Sequence, residues 1–506
     1  MKKQIYLLLI GISFVWSLSS CGDFLEESSL DEIRPSTVTD LEQLMLGEAY
    51  LGMSSIFDYI ELLTDNVESS FSTASGQENC LQAGAPIFTW QADMYEQMEL
   101  NSTFGRNTWQ LLYERIKGCN VILDMLDRVK GDEGAKLNVQ GQALGLRAFY
   151  YFILVNTYGQ PYNAKGIDVN TTPGVPLILE STVKDEFPKR ESVGAVYGQI
   201  ETDLLEAKSL LDKYGQDNYQ YKVTPIFVDL LLSRMYLYME KWDKVVEYAS
   251  NVITKKPTLR RLSDYVTMEE DWFSGEITLT YDRDNGGVYN YDSPEVIWGY
   301  AQPGKYETYF LGTNPFMDPG SKPAFTVSES LIKAHEDGDL RIGLYYAQYI
   351  ASFIPMITLP LVGEKCKDDK RSNSPRGMRV AEAYLNRAEA NIRLFLESGN
   401  DELRKSALND LNYLREFRFI DPYVEVDIQD GNDLLTFCLK ERRCELSFED
   451  HRWFDLRRLG MPEIRHKFTI VSGQTQEYVL KENSLRYVLP IAKEVMDKNP
   501  ALVQNP

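Results

Sequence analysis

Between Leu434 and Phe448 the sequence places Leu434, Cys438, Glu441, Glu445 and Phe448 at intervals of three and four. Those positions form one stripe of an α-helix. Three of them are apolar, so the stripe faces a core and carries Glu441 and Glu445 in with it. A carboxylate buried without a partner costs several kcal/mol, a large part of a domain's net stability. Any fold this chain adopts must therefore bring cations to that stripe. Arginines occur inside otherwise apolar helical runs at Arg147 ("LRAFYY"), Arg234 ("LSRMYLY") and Arg387 ("LNRAEA"). These three are the expected partners of Glu441 and Glu445, in an interior ion-pair network that fixes helix register. The adjacent Arg442 and Arg443 are expected to point elsewhere. Trp453, Phe454 and Leu456 follow in the same run and read as core.

Helical periodicity dominates the rest of the chain. Apolar residues at Trp109, Leu112, Tyr113, Ile116, Val121 and Ile122 predict a helix over 109–127. Further helices are expected over 142–158, 196–211, 225–239, 241–253, 376–397, 403–417 and 434–448. The pair 225–253 reads as a helix-turn-helix hairpin resembling a tetratricopeptide unit. Spacing between such pairs is irregular, so a regular solenoid is excluded. The fold class is mainly α, with tetratricopeptide-like hairpins and long irregular insertions. Two insertions, 69–102 and 258–327, are rich in Gly, Ser, Asn, Asp and aromatics, and loops on a rigid frame are where binding sites concentrate.

Lys2 and Lys3 precede an apolar run from Ile5 to Trp16, the pattern of a secretory leader. "LSSC" (18–21) then resembles a bacterial lipobox. Residues 1–20 read as a signal peptide, Cys21 as the lipid-attachment residue and 21–35 as a tether. Residues 36–506 read as one domain. More than one acyl chain on a cysteine gives stable anchoring. The formal net charge is −22, and loss of Lys2 and Lys3 makes it more negative. That argues against nucleic acid as a partner. The remaining cysteines, Cys80, Cys119, Cys366, Cys438 and Cys444, are odd in number and scattered, which suits buried thiols better than a disulfide framework, although one bridge stays open.

With three histidines in the chain, His335, His451 and His466, there is no metal-ligand cluster and no cofactor motif, whether phosphate loop, dinucleotide fingerprint or nucleophile elbow. The expectation is a chain without catalytic residues, cofactor or metal. Paired carboxylates of a glycoside hydrolase would be invisible among 75 acidic residues, so a surface glycoside hydrolase stays as an alternative of another class, as does a scaffold that binds only protein.

Six blocks in order carry a family resemblance: "WQLLYERIKGCNVIL" (109–123), "LRAFYYFILVNTYGQPY" (146–162), "RVAEAYLNRAEA" (379–390), "ALNDLNYLREFR" (407–418), "ERRCELSFEDHRWFDLRRLG" (441–460) and "LPIAKEVMDKNPALVQNP" (489–506). With the lipobox in front, the chain resembles the SusD/RagB family of outer-membrane lipoproteins. The resemblance implies a surface-exposed, lipid-anchored protein that captures oligosaccharides or polysaccharides and delivers them to a SusC-like TonB-dependent transporter. Some members take peptides instead. It also implies binding without hydrolysis, and a transporter contact on the hairpin side. The loops near 66–102 and 270–325 match the family least, so the ligand does not carry over.

A sugar offers apolar C–H faces and a rim of hydroxyls, so a site wants flat aromatics with polar groups at their edges. Asp65 and Asn66 in "ELLTDNVES", Trp90 and Tyr95 in "FTWQADMYEQ", and Tyr306, Tyr309 and Phe310 in "PGKYETYFLG" are the candidate ligand contacts. Trp298 in "PEVIWGYA" reads as core.

Overall fold

The computed structural model describes residues 35–52, 54–57, 59–70, 77–182, 185–216, 220–270, 275, 277–290, 292–300, 324–347, 362–363, 365, 376–471 and 474–505, except 101–106. Cys21, Tyr306, Tyr309, Phe310 and Cys366 lie outside these residues, as does the side chain of Cys80.

The longer helices, in chain order, are α1 Val38–Glu48, α2 Gln77–Phe88, α3 Met94–Leu100, α4 Thr108–Met125, α5 Glu133–Tyr158, α6 Val193–Tyr214, α7 Pro225–Tyr238 and α8 Trp242–Lys255. They continue as α9 Val380–Ser398, α10 Asp401–Glu416, α11 Gly431–Glu445, α12 Arg452–Arg458 and α13 Lys493–Lys498. Local chemistry sets their starts. Asn107, Asp132, Ser192, Thr224, Asn400 and Asp430 each accept a backbone N–H of the first turn, and Pro225 follows Thr224 where a missing N–H costs nothing. Gly399, at φ 71°, closes α9 in the left-handed conformation.

Helices α4 to α9 stack consecutively, and α9 also packs against α10 and α11. The pair α7–α8 is the helix-turn-helix hairpin expected over 225–253, and α9–α10 forms a second antiparallel pair. Helix α7 is buried along its whole length, so its apolar residues show no sided pattern. Short antiparallel pairings lie beside this frame. Strand β1 Val67–Ser69 pairs with β5 Phe325–Val327, β2 Val266–Glu270 with β3 Ile277–Tyr281, β4 Val296–Tyr300 with β6 Arg376–Arg379, and β7 Ile464–Val471 with β8 Gln474–Leu480. Trp298, Trp453, Phe454 and Leu456 are core, as their sequence context indicated.

Two expectations are corrected. The segment 69–102 is not irregular throughout, because it contains α2 and α3. Gly84 and Pro86 weaken the helical signal of α2, and Gly84 is there because a Cβ would sit 2.4 Å from Phe325 Cε2. The helix expected from 376 begins at Val380, since Arg376–Arg379 is a strand paired with β4. Cys119, Cys438 and Cys444 are buried free thiols. Among the described residues no helix is long and apolar enough to cross a membrane.

Close packing in this frame depends on small residues. A Cβ on Gly118 of α4 would lie 2.2 Å from the Glu48 carbonyl oxygen at the end of α1, whereas exposed Gly198 on α6 meets nothing within 4 Å. Gly118→Ala is expected to lower the melting temperature, because overpacking costs about 1–3 kcal/mol and a backbone neighbour yields little. Gly198→Ala should raise it, by roughly 0.5–1 kcal/mol of helix propensity. Parallel thermal melts of the two variants check the opposite signs.

Candidate functional site

The charged stretch 441–460 folds as the end of α11, a turn, and α12, and it meets the rest of the chain on two faces. The inner face is the expected network. Glu445 is wholly buried. Its Oε2 accepts from Arg418 Nε at 2.9 Å, and its Oε1 from Arg379 Nη1 at 2.9 Å and Tyr345 OH at 3.0 Å. Glu295 accepts from the same two arginines, at 2.8 Å from Arg418 Nη2 and 2.7 Å from Arg379 Nη1. Glu441 accepts from Arg341 at 2.9 Å and Arg415 at 2.5 Å. Glu449 takes Arg379 at 2.7 Å and Lys365 at 2.5 Å. Burial alone would raise the Glu445 carboxyl, but Arg418 and Arg379 outweigh it and hold the group well below the usual carboxylate range. Burial pulls the Lys365 ammonium down to about 8 against the attraction of Glu449.

The acids are therefore where the helical stripe put them, but their partners are not Arg147, Arg234 and Arg387. Arg147 pairs with Asp203 (2.8 Å, α5 to α6), Arg234 with Glu382 (2.5 Å, α7 to α9) and Arg387 with Asp410 (2.6 Å, α9 to α10). Arg147 and Arg387 each reach the next helix in the stack, and Arg234 reaches past α8 to α9. The partners of Glu441 and Glu445 are instead Arg341 and Arg418, from segments without helical periodicity, and Arg379 and Arg415, near the ends of expected helices. Arg442 does point away from Glu441 and Glu445: it is buried and pairs with Asp455 at 2.8 Å.

The turn joining α11 to α12 passes through two left-handed residues, Phe448 (φ 58°) and Asp450 (φ 63°). Such conformations cost about 1–2 kcal/mol for a non-glycine residue. Arg376 holds the turn, donating to the Phe448 carbonyl at 2.7 Å and to Asp450 Oδ2 at 2.9 Å.

The outer face reaches two of the candidate contacts. Arg452 on α12 clamps Asp65 with two bonds of 2.7 Å, Nε to Oδ1 and Nη2 to Oδ2. Arg443 on α11 donates to Asn66 Oδ1 (2.9 Å), the Asp65 carbonyl (2.8 Å) and Ser330 Oγ (2.9 Å). Ser328 Oγ donates to the same carbonyl at 2.7 Å. The Asp65 side chain keeps 31% of its surface exposed, while Asn66 is buried. Burial would raise the Asp65 carboxyl, but Arg452 and Arg443 hold it below its ordinary value. Arg443, Arg452 and Ser330 were not singled out as site residues. The available signal was that Arg443 lies off the buried stripe of α11 and so must face another surface.

Trp90 and Tyr95 are not open platforms. Trp90 is 4% exposed, stacks on His466 at 4.3 Å and donates Nε1–H to the Leu63 carbonyl at 3.1 Å. Its own backbone is left-handed, at φ 52°. Tyr95 is buried, with its hydroxyl 2.7 Å from that of Tyr59. Both rings pack their segments onto the frame and offer no free face to a sugar. The site that the described residues bring together is therefore polar: Asp65, Arg443, Arg452, Ser330 and the buried Asn66.

Two family models match the chain. One, described as the SusD family, covers residues 361–506; the other, described as starch-binding associating with outer membrane, covers residues 23–237. A SusD-like protein of Formosa agariphila is 23% identical over 550 aligned positions, spanning 99% of this chain and 97% of that protein. Among solved structures, a SusD-like carbohydrate binding protein from Bacteroides vulgatus is similar with a TM-score of 0.67 at 22% identity, covering 92% of this chain and 97% of that one. A SusD superfamily protein from Bacteroides thetaiotaomicron reaches 0.66 at 21% identity, covering 93% and 100%. These likenesses show the mainly helical fold.

Removing the Glu445 carboxylate leaves the buried arginines around it one counter-charge short, so Glu445→Ala should cost about 3–5 kcal/mol, measured by denaturant unfolding. Glu61 predicts a pH effect. It is 2% exposed, and burial with Asp450 nearby pushes its carboxyl up to about 7. The folded state then holds a proton that the unfolded state releases above its ordinary value of 4.5. Stability should be highest below that value and fall by roughly 3 kcal/mol as pH rises to about 7. Glu61→Gln should remove that slope in unfolding measured across pH.

Proposed function

The chain belongs to the SusD/RagB family, and from that membership we propose that it captures glycans at the outer surface of the cell. On this reading it is anchored by lipid at Cys21 and passes its ligand to a SusC-like TonB-dependent transporter. One observation in the described residues supports capture over chemistry: the Asp65 carboxylate is fixed by two arginines at an exposed edge. An ionised, immobile carboxylate accepts hydrogen bonds from sugar hydroxyls at little ordering cost. The same arginines make it a poor proton donor, which glycoside hydrolysis would require of one carboxyl. Glu61, the carboxyl raised toward neutrality, is sealed in the interior and out of a substrate's reach.

A soluble form beginning after Cys21 should be retarded in gels containing one class of polysaccharide, without product release. Asp65→Asn should weaken that retardation about tenfold, some 1.4 kcal/mol, at a temperature where a thermal melt shows the variant still folded. Retention of peptides alone would move the protein to the peptide-binding members of the family. Appearance of shortened saccharides would make it a hydrolase.

A further inference from the structure

The Asp65 edge carries more positive charge than its single carboxylate balances. Arg443 and Arg452 both pair with Asp65, at 3.5 and 2.7 Å. The next carboxylate behind them, Asp455, is already matched by Arg442 and Arg458 at 2.8 Å each. Glu68, the other acid on this segment, turns its Oε2 to the backbone N–H of Glu329 at 3.1 Å. Among the described residues, the Nη1 groups of Arg443 and Arg452 have no hydrogen-bond partner, and neither is sealed from solvent. Their side chains keep only 14% and 15% of their surface exposed, so their ordering cost is met in the free protein. Burial, and the like charge of Arg452, pull the Arg443 guanidinium below its ordinary value, whereas Asp65 holds that of Arg452 above it against burial.

We propose that Arg443 and Arg452 form a subsite for the anionic substituent of an acidic glycan, a uronate carboxylate or a sulfate ester, beside the hydroxyl-accepting Asp65. The subsite rests on the glycan-capture reading and names its ligand class. Guanidinium donors recognise planar carboxylates and sulfate oxygens through charge-assisted bonds, roughly twice as strong as neutral ones. The net charge of −22 opposes an acidic polymer at long range. At physiological ionic strength charges beyond about 8 Å are largely screened, so the local excess decides. The cations come from α11 and α12 of the frame, so loop composition did not disclose them.

The test compares a uronate polymer with its carboxyl-reduced form, and a sulfated polymer with its desulfated form, by affinity electrophoresis of the soluble protein. At least one anionic member should bind about tenfold tighter than its neutral counterpart, with affinity falling as salt rises. Arg443→Gln should bring the anionic and neutral members of the pair to near parity, read as their affinity ratio in the variant. Ser330→Asp sets a negative charge beside Arg443 without deleting a guanidinium, and should do the same if Arg443→Gln fails to fold. Parity within both pairs for the wild type, or a preference that survives Ser330→Asp, overturns the subsite. Binding of neutral glycans alone leaves the capture reading standing and sinks this one. Binding of no glycan sinks both.

Discussion

Glu445 is the constraint on which the rest of the structure depends. It lies at the end of α11 with no access to water, and burial on that scale is tolerable only with its lone pairs filled and its charge matched. Arg379 supplies a donor from the end of β6, Arg418 from the residue just past α10, and Arg341 from a short helix of its own. Four segments distant in sequence must arrive together before the charge is neutral. Glu295, ahead of β4, is bound by the same two arginines and ties a fifth to them. Such a cluster adds little net stability over an apolar core of equal volume. Its consequence is specificity: a helix shifted by one turn would leave several buried charges without partners.

The frame hands this rigidity to the surface through one short turn. Phe448 and Asp450 adopt left-handed backbone, and Arg376 compensates by bonding to both residues. The turn aims Glu449 inward to Arg379 and Lys365, and starts α12 so that Arg452 reaches Asp65. A single guanidinium thus links the interior network to the segment proposed to meet ligand. The donors and acceptors of that edge are fixed in position by charges of the interior.

Much of this was legible in the sequence, for definite reasons. Amphipathic helices announced themselves, and α4, α6, α8 and α10 fall within a few residues of their expected limits. The burial of Glu441 and Glu445 followed from their spacing alone. Their partners did not, because Arg341 and Arg418 sit in segments without period, and an arginine's reach is decided by which helices are neighbours. Arg147, Arg234 and Arg387 had the right local character and were claimed by acids on adjacent helices. Trp90 and Tyr95 misled for a related reason: an aromatic in a polar segment looks exposed, whereas His466 and Tyr59, which cover them, lie far away in sequence. Asp65 and Asn66 were candidates from local polarity, and the arginines that bond to them were hidden in a run whose density of charge pointed inward.

That run, 441–460, therefore has no single role. Read along α11, Glu441 and Glu445 belong to the interior, while Arg443 lies on another side of the same turns. On α12, Arg458 pairs with Glu389 in the core, while Arg452 turns to the edge. A helix separates neighbouring residues by about 100°, so one dense block of charge serves two environments at once. Inside, Arg442 and Arg458 have their acids, and Arg457 is held by the backbone carbonyls of Asn156 and Gly159. At the edge the balance is left one acid short, which is the condition under which a fixed guanidinium remains available to a ligand.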